Sequence, residues 1–148
     1  MKKTILITGS NGLIGYTLLE KLSNNNFVYA LSRKKIELKH DNFKNIICDL
    51  SKPLDVEKLP KKVDIIYHLA QSEHFRNFPE KSTDIFNVNT ISTLSLLEYA
   101  RIAKCKKFIY ASSGGVYGNS EIGFSEDTVL TQNANIGFYL TSKFCSEL

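Results

Sequence analysis

Tyr139 and Lys143 stand four residues apart in the segment Tyr139-Leu140-Thr141-Ser142-Lys143. On a helix that interval puts both side chains on one face. A phenol titrates near ~10 in water, so Tyr139 acts as a base at neutral pH only where something stabilises its anion. An adjacent ammonium does that, and Lys143 is the candidate. Taken alone the pair has a bland alternative, two polar residues on a helix surface.

A second chemical feature lies near the start of the chain. Thr8-Gly9-Ser10-Asn11-Gly12-Leu13-Ile14-Gly15 carries three glycines in a G-x-x-G-x-x-G spacing, between an apolar run and a helical pattern. Glycine permits a tight turn, lets backbone approach a pyrophosphate and allows a helix to pack closely on a sheet. The helix start then offers free N–H groups and a partial positive charge to phosphates. Gly9, Asn11, Gly12, Leu13, Ile14 and Gly15 are therefore candidates to bind a dinucleotide cofactor, the alternative being a ligand-free turn. No Gly-Lys-Ser/Thr follows, which excludes a triphosphate-type loop.

Cofactor choice rests on the end of the second strand. Folds that select NAD place Asp or Glu about 20 residues beyond the glycines. This chain has Leu31-Ser32-Arg33-Lys34-Lys35 there, with no acid. Ser32 and Arg33 could hold a 2′-phosphate, which favours NADP and leaves NAD open. A basic loop in solvent is the alternative.

These residues need a scaffold, and the pattern supplies one. Strands are predicted at Ile5–Ile7, Phe27–Leu31, Asn45–Cys48, Val63–Leu69 and Lys107–Ala111. Helices are predicted at Leu13–Leu22 (on Leu13, Leu18, Leu19 and Leu22), at Ser82–Ala103 and at Tyr139–Leu148. Ile85, Val88, Leu96, Leu97 and Ala100 are candidates for the inner face of the long helix. Strands without in/out polarity, alternating with helices, imply a parallel sheet covered on both faces. The fold class is a doubly wound α/β sheet of Rossmann type.

The ordered set of motifs resembles the extended branch of the short-chain dehydrogenase/reductase superfamily, the NAD-dependent epimerase/dehydratase group that includes UDP-glucose 4-epimerase. The resemblance covers essentially the whole chain and includes its Thr-Gly-x-x-Gly-x-x-Gly turn. Asp49-Leu50 resembles the Asp-Leu/Ile pair whose carboxylate accepts from the adenine amino group; the other reading of Asp49 is a cap on a helix over Leu50–Leu54. His68-Leu69-Ala70 resembles the His-x-Ala segment beside the cofactor, which implies contacts at Leu69 and Ala70, with His68 itself read as a satisfied strand-end histidine. Asn89-Thr90-Ile91-Ser92-Thr93 resembles the Asn-Val-x-Gly-Thr of the long helix and brings Asn89 into the cofactor set.

Ser112-Ser113-Gly114-Gly115-Val116-Tyr117-Gly118 resembles Ser-Ser-x-x-Val-Tyr-Gly and aligns Ser113 with the catalytic serine. The resemblance thus implies catalysis by Ser113, Tyr139 and Lys143, the last two also touching the cofactor. Tyr117 is read as structural and His74 as a surface histidine. Gly114 and Gly115 stand where dehydratases and decarboxylases of this group carry acids, which points away from dehydration. The implied function is a nucleotide-sugar epimerase or a keto-reductase/dehydrogenase, with a small-molecule nucleotide sugar as partner and room for a homodimer through the long helix and the Tyr139 helix. The alternatives are a non-catalytic NAD(P)-binding module and an inactive remnant. Family members run to about twice this length, so residues 1–148 are expected to be one NAD(P)-binding domain lacking the C-terminal strands and substrate domain.

Composition agrees with this picture without demanding it. The chain has 148 residues, 43% of them hydrophobic and 23% charged, in the range of one ordinary globular domain. Its net charge of +4 is scattered, with no run dense enough for a nucleic-acid or membrane surface. Cys48, Cys105 and Cys145 share no metal or redox spacing and read as buried free thiols in a reducing compartment. No metal site is expected, and Gly9 to Gly12 interrupt the apolar start before it could resemble a signal peptide, so the location expected is cytoplasmic.

Overall fold

The computed structural model describes residues 2–118, 123–130 and 136–148. The first strand, β1 (Thr4–Thr8), is the centre of the molecule. Ile5, Leu6 and Ile7 are almost wholly excluded from solvent and point alternately to two faces. Leu6 joins a core with Leu31, Val63, Ile66, Val88, Leu96 and Tyr99. Ile5 and Ile7 join a second core with Leu19, Val28, Ala30 and Ile36. A strand buried on both faces needs cover on both, and this one has it.

Helix α1 (Leu13–Ser23) follows, then β2 (Phe27–Ser32) and β3 (Phe43–Ile47). The chain then crosses back to place β4 (Ile65–His68) on the other side of β1, with β5 (Lys107–Tyr110) beyond it. All pairs are parallel, in the order β3-β2-β1-β4-β5. The strand order reverses between β1 and β4, and a crevice opens at the carboxyl ends of strands at such a point. The doubly wound class expected from the pattern is the class observed.

The long helix departs from a single cylinder. It consists of α2 (Ser82–Phe86), a widened π turn over Asn87–Ile91 and α3 (Ser92–Ile102). At about 100° per residue Leu96, Tyr99 and Ala100 fall on the face of Ile85 and Ala103, whereas Leu97 lies about a third of a turn off it and faces solvent, contrary to expectation. The helix ends with Lys104 in the left-handed region at φ 53°, where Cys105 N–H donates to Ala100 O at 2.8 Å.

Other boundaries also differ from the sequence reading. Leu13, counted with the inner face of α1, is 90% exposed because the first turn projects past the end of the sheet. β3 begins at Phe43, not Asn45, and the Asn45 amide sits mid-strand bonded to both N–H and C=O of Ile36. No helix forms over Leu50–Leu54; the next helical turn is a short 3₁₀ segment at Val56–Lys58, capped by Asp55. Cys48 and Cys105 are half-buried and Cys145 is exposed, so the thiols are free but not uniformly buried. The last helix, α4, spans Gly137–Glu147.

Candidate functional site

A cleft of about 310 Å³ opens at the carboxyl ends of β1, β2, β3 and β4. Gly9, Asn11, Gly12, Ser32, Arg33, Asp49, Leu50, Leu69 and Ala70 line it, nine of the residues singled out from sequence. Leu31, Cys48, Gln71, Ser72, Glu73, Asp84 and Val88 complete the lining and were not foreseen.

The glycine turn fixes one wall by backbone alone. Gly9 has φ 65°, and a Cβ there would stand 2.8 Å from Ala70 N. A Cβ on Gly15 would stand 2.2 Å from Gly9 O. Gly12 N–H donates to Gly9 O at 3.0 Å and closes the turn. The N-cap of α1 is Gly12, with no side-chain hydrogen bond and no acid in the first turn. The first amides of α1, at Leu13 and Ile14, thus keep their donors for a ligand at the exposed end. These features fit a pyrophosphate, which needs close backbone approach and unspent N–H groups.

Asp49 and Arg33, expected from sequence at the adenosine end of a cofactor, both line the cleft. Asp49 accepts from Ser51 N–H at 3.0 Å, which holds its carboxyl below the usual range. It caps a local turn and lines the cleft at once. The Arg33 guanidinium is bound in a fork by Glu73, at 2.6 and 3.1 Å. Ser32 donates its hydroxyl to Lys34 O at 2.6 Å. Both residues proposed to greet a 2′-phosphate are already engaged.

Beside the cleft, α4 presents the tyrosine–lysine pair. Tyr139 donates its hydroxyl to Gln71 Oε1 at 2.7 Å, and Gln71 lines the cleft. Partial burial raises the Tyr139 pKa, so the phenol is neutral at pH 7 in this state. Lys143 is 2% exposed; its ammonium donates to Ala111 O at 2.9 Å and lies 4.9 Å from the Tyr110 ring centroid. Burial pulls its pKa down to about 8. Ser113 caps a 3₁₀ turn over Gly114–Tyr117 by accepting from Gly115 N–H at 3.3 Å. That turn packs on α4, since a Cβ at Gly115 would stand 2.7 Å from Leu140 Cδ1. Tyr117 stacks on Phe124 at 5.3 Å, the structural role expected of it.

A chain of buried polar groups joins the two walls. Thr8 Oγ1 accepts from the N–H groups of Leu69 and Ala70, so its own proton goes to His68 Nδ1 at 2.7 Å. His68 therefore carries its proton on Nε2 and donates it to Thr93 Oγ1 at 2.9 Å. Thr93 in turn donates to Asn89 O at 2.6 Å. Burial first, and the charge of Lys143 second, push the His68 pKa down to about 3. The strand-end histidine is satisfied, as expected, and neutral.

Asn89 is wholly buried and lies outside the cleft lining. Its amide accepts from Ser72 N–H and donates to Ser142 Oγ, both at 2.9 Å, while Ser146 also donates to Asn89 O. Asn89 thus ties a cleft loop to α4. His74 is half-exposed next to Glu73. Among the described residues no group of three or more His, Cys, Asp or Glu could hold a metal, and no helix is long and apolar enough to cross a membrane.

Residues 5–148 match the NAD dependent epimerase/dehydratase family. A UDP-N-acetyl-alpha-D-glucosaminuronate decarboxylase of Bacillus cytotoxicus is 33% identical over 135 residues, covering 86% of this chain and 41% of the relative. The UDP-N-acetylglucosamine 4-epimerase of Methanobrevibacter ruminantium, solved with UDP-N-acetylmuramic acid, superposes with a TM-score of 0.83 at 26% identity, over 99% of this chain and 49% of that one. The UDP-glucuronic acid 4-epimerase of Bacillus cereus, solved with NAD, gives a TM-score of 0.81 at 26% identity, over 97% of this chain and 49% of that one. The chain spans half or less of the length of each.

Proposed function

This chain belongs to the NAD dependent epimerase/dehydratase family, and from that premise we propose that it is the dinucleotide-binding part of a nucleotide-sugar epimerase or keto-reductase. The observation that carries the reading is the Tyr139 hydroxyl bonded to a cleft-lining residue, Gln71, with the Lys143 ammonium buried one helical turn away.

The glycine turn and the first amides of α1 hold the pyrophosphate. Asp49, Leu50, Leu69 and Ala70 flank the adenosine, and Asn89 acts indirectly, through the loop and helix it joins. A bound nicotinamide would accept hydride from a sugar carbon and return it. Tyr139 first gives up its own proton to solvent, ending its bond to Gln71, and Lys143 lowers the cost of that phenolate by its positive charge. The phenolate then takes the proton of the sugar hydroxyl and is again a neutral phenol. Ser113 donates its hydroxyl, which its capping bond leaves free, to the reacting oxygen. Gly114 and Gly115 carry no side chain that could remove a second proton, which favours epimerisation or simple reduction over dehydration.

A second copy of the chain is the partner for the outer face of the long helix, where Ile91 of the π turn and Leu94, Leu97 and Ile102 of α3 are exposed. Three thiols with no disulfide suit a reducing cytosol.

Tyr139→Phe tests the assignment. Turnover of UDP-sugars should fall by ~100-fold or more, the scale of a lost general base. Nicotinamide fluorescence should give a dissociation constant within about threefold of wild type. Full activity in this variant would remove the proposed mechanism.

A further inference from the structure

The sequence places no acid at the end of β2, yet the structure brings three carboxylates to that part of the cleft. Asp49, Glu73 and Asp84 all line it, with Arg33 as the one guanidinium among its lining residues. Glu73 comes from the loop after β4, 40 residues from Arg33. Because β2 and β4 flank β1, the Arg33–Glu73 pair joins the segments that follow the strands on either side of β1. Glu73 takes both terminal nitrogens of the guanidinium, Nη1 and Nη2.

We propose that Glu73 makes this cleft selective for NAD over NADP, supplying from the β4 loop the acid that the end of β2 lacks. This rests on the dinucleotide reading above and deepens it.

The argument is one of charge and donors. A ribose diol is a pair of donors, and a carboxylate accepts from it without giving up its own arginine. A 2′-phosphate is a doubly charged acceptor and needs the guanidinium for itself. To reach it, the phosphate must displace Glu73 and then sit beside that carboxylate and near Asp49 and Asp84. His74, 3.9 Å from Glu73, and Lys34 are the other titratable groups at this edge. Neither is hydrogen-bonded to Glu73 as Arg33 is, so neither offsets its carboxylate as the fork does. Arg33 alone, read from sequence, argues for NADP; Arg33 held by Glu73 argues the other way. The exposed pair contributes little to folding, so its removal leaves the rest of the cleft standing.

The test is a fluorescence titration of the protein with NADH and with NADPH, in the wild type and in Glu73→Gln. Wild type is expected to bind NADH at least ~10-fold more tightly, the equivalent of about one misplaced charge in a partly screened site. Glu73→Gln keeps an acceptor but loses the charge, so NADPH affinity should rise about tenfold while NADH affinity moves less than about threefold. A wild-type preference for NADPH, or a Glu73→Gln variant with an unchanged NADH/NADPH ratio, overturns the selectivity. Binding of neither nucleotide by the folded wild type, checked by circular dichroism, overturns the dinucleotide reading itself and the selectivity with it.

Discussion

The two walls of the cleft are built from different materials. The wall from β1 to α1 is backbone, shaped by glycines whose missing Cβ atoms would collide with other main chain. The wall from β5 to α4 is side chain: a buried lysine, a partly buried tyrosine and a ladder of Ser, Thr, Asn and His hydroxyl, amide and imidazole groups. Backbone walls are rigid and insensitive to pH. Side-chain walls carry titratable groups, so the second wall should be the one that responds to pH, and the first the one that tolerates no added atom.

The largest effect is expected on the backbone wall. Gly15→Ala puts a Cβ 2.2 Å from Gly9 O and 2.8 Å from Ser10 Cα. Neither neighbour is a flexible side chain, so the turn itself must move. Loss of about 3 kcal/mol in urea unfolding is expected, in the upper range of overpacking effects. Nicotinamide binding should disappear with it. A stable variant that still binds would mean that the turn has slack this geometry does not show.

His68 links the walls and shows how the polar one fails. Its folded-state pKa of about 3 lies below the unfolded value of 6.5. The unfolded chain thus binds a proton that the folded one refuses, and stability is lost as pH falls from about 6.5 towards 3. The full linkage is on the order of 5 kcal/mol. In His68→Asn that group is gone, so the unfolding free energy should depend less steeply on pH across this window, although the variant is weaker at pH 7 through its broken chain. Equal slopes in the two proteins would place the acid sensitivity elsewhere.

Much of this architecture was legible in the residues because its causes are local. The fully buried Ile5-Leu6-Ile7, the Gly9-Gly12-Gly15 spacing and the four-residue interval from Tyr139 to Lys143 each report on neighbours in the chain. What was missed depends on residues far apart. Glu73 gives no sign of pairing with Arg33, since an exposed ion pair across two loops follows from strand order alone. Leu97 turns outward because it lies about a third of a turn off the stripe of Ile85, Leu96 and Ala103, a phase that its apolar character alone does not report. Asn89 was drawn to the cofactor by its motif, yet it is outside the cleft lining and ties Ser72 to Ser142.

Lys143 tests the polar wall from the alkaline side. Its folded-state pKa of about 8 lies below the ordinary 10.5, because burial disfavours the ammonium. Between those values the unfolded chain holds a proton that the folded chain has released, so stability rises as pH goes up through the window. The gain is at most about 3 kcal/mol. Lys143→Met lacks it, and the wild-type advantage should therefore grow from pH 8 to pH 10.5. In the proposed mechanism the same titration opposes function, since the charge that would steady a Tyr139 phenolate fades above pH 8. Turnover should fall there while stability climbs, and a parallel fall in both would mean that another group controls the alkaline limb.

The smallest effects separate two adjacent glycines on the side-chain wall. A Cβ on Gly114 meets nothing within 4 Å, whereas one on Gly115 stands 2.7 Å from Leu140 Cδ1. Unlike the neighbours of Gly15, that methyl is the far end of a flexible side chain and can swing aside. Gly115→Ala should therefore cost about 1 kcal/mol, well short of Gly15→Ala. Gly114→Ala should lie within about 0.5 kcal/mol of wild type, tilted towards stabilisation because alanine narrows the unfolded ensemble. Urea midpoints of the three variants set the scale. If Gly115→Ala matched Gly15→Ala, the wall against α4 would be as unyielding as the glycine turn, and the contrast between backbone and side-chain walls would collapse.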